Sequence, residues 1–257
     1  MGQVTGGLER SAKELIRLKE SLFWTIAWPS IWVLLSGAIF VKGIPEDVLP
    51  VVKGSMTVPM MVFALMIAGM SNLPATVSTD RERGTLAKLM SMPASPWRDF
   101  LGRVLGLLCF SALAVVLVGL VGYATGARFR LSAAEVLLAL GFLLVGFTAS
   151  AGIGSVIASL VKNVQGAIMT GVGLSVITAA ISGVMAPYSA LPASLQSFAR
   201  IYPISSVNSA IIYVLFGEEY SGYTPLTVAQ VASTVATSIG ILAVGIILYT
   251  KIAWRRR

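Results

Sequence analysis

Side chains able to make or break bonds are scarce in this sequence. It has no histidine, which removes Ser–His pairs, H-E-x-x-H zinc sites and imidazole acid–base catalysis together. Cys109 is the only cysteine. Inside an apolar run it reads as a small buried residue, with no intrachain disulfide and no cysteine-based zinc cluster open to it. No G-x-x-x-x-G-K-[ST] phosphate loop occurs, so this chain is not expected to hydrolyse ATP by that route. An intramembrane enzyme acting on lipids would need a nucleophile or metal-binding carboxylates at one depth. Glu218 and Glu219 are where such chemistry would be sought, and no nucleophile accompanies them. The expectation is a chain with no catalytic residue and no metal site.

What remains must be positioned by apolar helices. Of 257 residues, 56% are hydrophobic and 12% charged, about half the charge of a soluble domain. A bilayer core of about 30 Å needs about twenty apolar residues in a helix. Six spans meet that length, at about 22–41, 55–77, 100–122, 135–161, 164–186 and 227–250. Their interiors read as free of Asp, Lys and Arg, with Glu135 at an end. Carriers driven by protons or sodium keep ionisable groups at such depths, so energy for uphill transport is expected from another subunit. Pro29, Pro59 and Pro74 read as kinks, because neighbouring helices can satisfy the carbonyls they free.

Basic residues set the orientation. With six spans, both termini and the second and fourth loops share one side. That side holds Arg10, Lys13, Arg17, Lys19, Arg81, Arg83, Lys88, Arg98, Arg103, Lys162, Lys251, Arg255, Arg256 and Arg257, fourteen of nineteen. Lys42, Lys53, Arg128, Arg130 and Arg200 fall on the other. The positive-inside rule places both termini in the cytoplasm, and the net charge of +8 reflects this asymmetry rather than a nucleic-acid stripe. No cleavable signal peptide is expected, because about twenty polar residues precede the first apolar run.

Three segments outside the spans carry information. Residues 8–20 place Leu8, Ala12, Leu15 and Ile16 on one helical face with charges around the rest, the pattern of an amphipathic helix in the headgroup layer. Trp24, Trp28 and Trp32 follow at four-residue spacing and read as interfacial anchors. Residues 187–226 are too polar for a span and too apolar for a loop. Two short helices dipping into the outer leaflet fit them, with Glu218 and Glu219 marking the return to water. Residues 80–97 form a charged segment in which Thr85 can cap a short helix that Pro93 ends. Leu86, Leu89 and Met90 give that helix one apolar face, suited to docking into a groove on a partner.

The segment DRERGTLAKLMSMPASPWRDFLGR resembles the E-[KR]-x-G-T-L-x-x-L-x-x-x-P motif of ABC-transporter permeases of the type-2 export family. Glu82, Gly84, Thr85, Leu86, Leu89 and Pro93 stand at the matching positions. Residues 182–210 are similar to a second family pattern, matched by Ser182, Gly183, Pro187, Leu191, Pro192, Leu195 and Pro203. Asn208 departs from it, standing where many relatives carry an acidic residue. The resemblance implies one all-α transmembrane domain over 1–257, with six transmembrane helices and an N-terminal amphipathic interfacial helix. It further implies a cytoplasmic coupling helix within 80–97 and re-entrant external helices over 187–217. It implies a half-transporter of the cell membrane, paired with a second permease copy, identical or homologous, and with separate ATPase subunits that bind ATP and magnesium. ATPase coupling would fall on Glu82, Gly84, Thr85, Leu86, Leu89 and Pro93. The substrate path, lined by helices two and five in relatives, would fall on Met66, Met70, Asn72, Thr170 and Thr178. The methionines offer a pliable surface, and an amide in lipid must find a partner or face a cavity. An apolar path suits an amphiphilic, lipid-like or drug-like cargo. A stand-alone secondary carrier and a non-transporting scaffold are the competing readings.

Overall fold

The computed structural model of the chain describes residues 5–6, 19–92, 95–129 and 132–254. Among these residues no strand occurs, and six helices are long and apolar enough to cross a bilayer. They are α1 (Lys19–Ile39), α2 (Leu49–Glu82), α4 (Pro96–Ala124), α5 (Ala133–Leu160), α6 (Val164–Ile181) and α9 (Val228–Ala253). The shorter helices between them include α3 (Thr85–Ser91), α7 (Ala193–Ile201) and α8 (Pro203–Phe216). The chain is an all-α membrane protein. The amphipathic helix expected over 8–20 lies almost wholly outside the described residues, as do Pro93 and the three arginines at 255–257.

Several helix starts are written locally. Ser132 and Glu135 form a reciprocal capping box ahead of α5, so Glu135 serves the helix end rather than the bilayer interior. The Asn163 side chain accepts from the Gly166 amide at the start of α6, and Thr227 accepts from Gln230 at the start of α9. Pro96 opens α4, where its missing N–H costs nothing.

Long-range hydrogen bonds establish the alternation of the spans. On the face that carries Lys19 and Trp254, the end of α2 meets the start of α4, the α5–α6 turn and the end of α9. On the opposite face, Lys53 near the start of α2 donates to the Thr125 carbonyl after α4 at 2.9 Å. A cation suits the carbonyl-rich end of a helix. Arg200, also on that face, donates to the Tyr188 hydroxyl at 2.7 Å and lies 5.0 Å from the Tyr223 ring centre. Burial pushes the Tyr223 phenol above its ordinary pKa, so it stays neutral at physiological pH.

Two π turns interrupt the first two spans, at Phe23–Ala27 in α1 and Ala68–Asn72 in α2. Each lies just ahead of a proline, Pro29 and Pro74. A proline removes one donor from the ladder, and a wider turn redistributes the carbonyls it frees. The two π turns are joined to each other, because Asn72 Nδ2 donates to Thr25 Oγ1 at 2.9 Å. Glycines let neighbouring helices reach the α2 turn backbone to backbone. A Cβ at Gly154 on α5 would stand 1.9 Å from the Gly69 carbonyl, and one at Gly171 on α6 would stand 2.3 Å from that of Met70. Ser71 adds a hydrogen bond to the Ile168 carbonyl of α6 at 3.3 Å.

One expectation about a side chain changes, that for Cys109. The tryptophans make a staircase along α1, with ring centres 5.8 and 6.2 Å apart, and Trp32 lies about 12 Å further along the helix axis than Trp24. All three pack half-buried against the core. Cys109 is exposed on the outer surface of α4, because the buried face of that helix is taken by Gly102, Arg103, Gly106, Leu107 and Phe110. The segment after α6 does break into short helices: α7 and α8 meet at a 92° bend, and α8 is buried along nearly its whole length.

Candidate functional site

The charged segment after α2 begins inside that helix. At 34 residues, α2 is about 51 Å long by its rise per residue, well beyond a hydrocarbon core of about 30 Å. Its last turn carries Asp80, Arg81 and Glu82. Gly84 then turns the chain with φ of 70°, a left-handed conformation that a side chain would strain, and α3 follows. Gly84, not Thr85, is the N-cap of α3, and no side chain caps it. Thr85 is its first residue. Leu86 is buried at 2% exposure, and Leu89 and Met90 are half-buried. The apolar face expected to dock a partner is thus turned into the chain itself. Arg83, Ala87, Lys88, Ser91 and Met92 face outward.

Adjacent residues fix the root of α3. Arg81 donates to the Val161 and Ala158 carbonyls at 3.0 and 3.2 Å, at the end of α5. Glu82 accepts from the Val164 amide at 2.8 Å, at the start of α6. A cation sits at a helix C-terminus and an anion at the N-terminus of the next, both as the helix dipole favours. Glu82 therefore holds a partner within its own chain.

Beneath this clamp lies a buried charge cluster. Arg103, with no solvent exposure, pairs through Nη2 with Asp80 and donates through Nε to Asp99 at 2.8 Å. The Tyr249 hydroxyl donates to the same Asp99 oxygen at 2.8 Å, and its ring lies 5.3 Å from that of Phe100. One guanidinium thereby joins the ends of α2, α4 and α9. The sequence reading assigned Arg103 to the solvated basic side and left Asp80, Asp99 and Tyr249 without a role. A signal was available: Asp99 and Arg103 stand four residues apart just after Pro96, the spacing of an ion pair in the first turns of a helix. The arrangement holds no nucleophile. It ties the ends of α2, α4 and α9 together close to the root of α3.

The residues expected along a substrate path are not brought together. Met66, Met70 and Asn72 are buried within the protomer, since the glycines of α5 and α6 draw those helices onto this stretch of α2. Asn72 meets its requirement for a partner through Thr25. Thr170 is exposed on α6, and Thr178 is half-buried and donates to the Leu174 carbonyl at 2.7 Å. The ABC-2 type transporter family matches residues 3–216. The chain belongs to that family. No curated protein matches it at a significant level.

Membership makes this ABC-2 protein a membrane subunit of an ABC transporter, a transport component that is not itself catalytic, and implies association with ABC ATPase subunits. The match takes in α1 to α8, including the clamp on α3 and three of the four residues of the buried cluster. Tyr249, on α9, lies beyond it.

Proposed function

We propose that this ABC-2 subunit is one membrane half of an ATP-driven exporter, and that α3 is its contact with the ATPase. The observation that carries the proposal is the root of α3: a seven-residue helix whose adjoining residues are tied to the α5–α6 turn by Arg81 and Glu82. A helix so fixed transmits displacement instead of absorbing it. The outward residues Arg83, Ala87, Lys88 and Met92 would meet the ATPase, while Leu86 and Leu89 seat the helix from within. Pro93 would end it. ATP and magnesium would bind on the partner, whose closure would push α3. The excess of Lys and Arg on the face bearing α3 supports a cytoplasmic placement of that face and of both termini in the cell membrane.

A second copy, identical or homologous, would pack against the exposed apolar side of α6, where Met169, Leu174 and Ile177 stand beside Thr170. The path would then run along this surface between copies rather than through the buried methionines of α2. An amphiphilic, lipid-like or drug-like cargo suits so apolar a surface.

The test uses the subunit co-purified with its ATPase in proteoliposomes. The double variant A87R/K88E is expected to lower cargo-stimulated ATPase activity at least tenfold while the helical circular dichroism of the subunit is unchanged. Full stimulation in that variant would remove α3 as the contact. Leu86→Asp is expected instead to reduce the yield of folded subunit, because it places a charge in a buried position.

A further inference from the structure

On the face opposite the termini, a cavity of about 490 Å³ opens between α1, the first turns of α2, the loop after α6, the middle of α8 and the turn that follows it. Its volume falls within the roughly 300–1,000 Å³ typical of small-molecule sites. One wall is apolar: Trp32, Met56, Pro59, Met60 and Ile212. Its polar lining combines hydroxyls, among them Ser36, Ser55, Ser209 and Tyr220, with one amide and one carboxylate. Asn208 lines the cavity at 2% exposure. Its Nδ2 is engaged, donating to the Gly183 carbonyl at 3.3 Å, while its Oδ1 is buried with no hydrogen-bond partner. A buried acceptor in that state lacks the donor that such groups ordinarily have. Glu219, exposed, stands on the same lining. Among the described residues no lysine or arginine lines the cavity.

We propose that this cavity binds an amphiphile ending in a protonated amine. The apolar chain lies along Trp32, Met56 and Met60. The ammonium N–H donates to Asn208 Oδ1, and its charge faces the Glu219 carboxylate. Anionic amphiphiles are disfavoured, because they bring negative charge to a lining that already holds the Glu219 carboxylate. Methionine and tryptophan lining tolerates chains of differing shape. That this ligand is cargo rests on the exporter reading; that it binds does not.

Binding of radiolabelled dodecylamine to the purified full chain, in nanodiscs of choline-headgroup lipid, tests the site by equilibrium dialysis with no ATPase present. Saturable binding is expected, weakened about tenfold by Asn208→Leu, which deletes the acceptor, and about two- to fivefold by Glu219→Gln, whose charge is exposed. Asn208→Asp keeps an acceptor and is expected to bind at least as tightly. Met60→Trp fills the cavity and is expected to abolish binding without touching a polar group. Dodecanol is expected to share the sensitivity to Asn208→Leu but not to Glu219→Gln, and dodecyl sulfate is expected not to compete. Replacing part of the lipid with an ethanolamine-headgroup phospholipid separates two sources of the same chemistry. Competition assigns the site to the lipid headgroup and its absence to free amines. Absence of saturable binding in the unaltered chain, or equal affinity in Met60→Trp and Asn208→Leu, overturns the proposal. Saturable binding without ATP-driven transport would uphold the site and overturn the exporter reading alone.

Discussion

Arg103 shows how differently a charge behaves once neighbouring helices enclose it. A guanidinium with no solvent exposure is tolerable because Asp80 and Asp99 both face it, and Asp99 is further satisfied by Tyr249. Removing the guanidinium leaves both carboxylates buried without a counter-charge. Arg103→Met is expected to destabilise the purified subunit by about 3–5 kcal/mol, measured by denaturant unfolding in detergent. Adding Asp80→Asn and Asp99→Asn to that variant is expected to recover part of the loss, since a neutral cluster carries no unpaired charge. If the triple variant is less stable than Arg103→Met, the cluster is not held by charge balance. Little of this was legible in the sequence. The residues Asp80, Asp99 and Arg103 were visible, and one pair stood at helical spacing, but their convergence depends on where α2 ends and α9 returns. No local pattern records that. For the same reason Leu86 read as a partner-facing residue: periodicity gives the apolar face of a short helix but not what that face turns towards.

Among the elements, the six apolar spans were legible because a hydrocarbon layer imposes a length. All six helices lie over the expected stretches, with α2 longer at both ends and α6 shorter at its last turn. The sequence also marked α7 and α8, through prolines that separate short apolar stretches. The π turns were not legible. Pro29 and Pro74 announced disturbances, yet a proline alone does not say whether a helix kinks, breaks or widens. What decides it in α2 is contact with glycines two helices away in sequence. This gives a paired prediction. Gly154→Ala brings a Cβ within 1.9 Å of the Gly69 carbonyl, and is expected to cost about 3 kcal/mol or more, because neither backbone can yield cheaply. Gly141→Ala on the same helix meets nothing within 4 Å, and is expected to be neutral or slightly stabilising. Thermal unfolding of both in one detergent checks the contrast. Equal melting temperatures would contradict close packing at the π turn.

At the scale of the whole molecule, the outer surfaces of the spans remain apolar, with Leu34 and Leu35 on α1, Leu113 and Val116 on α4 and Ile177 on α6 all exposed. Lipid can cover all of them, and the proposed second copy would take α6. A single cysteine at Ile177, in a Cys109→Ser background, is expected to give a disulfide-linked dimer on mild oxidation in membranes. A cysteine replacing Val116 is expected to stay monomeric. Cross-linking at Val116 and none at Ile177 would move the interface to α4. Arg81 and Glu82 carry a further consequence. Because neighbouring side chains grip the tail of one span and the head of the next, a push on α3 under the proposed coupling would apply torque to α5 and α6 together. The stroke of the proposed exporter would then be the tilt of a welded pair.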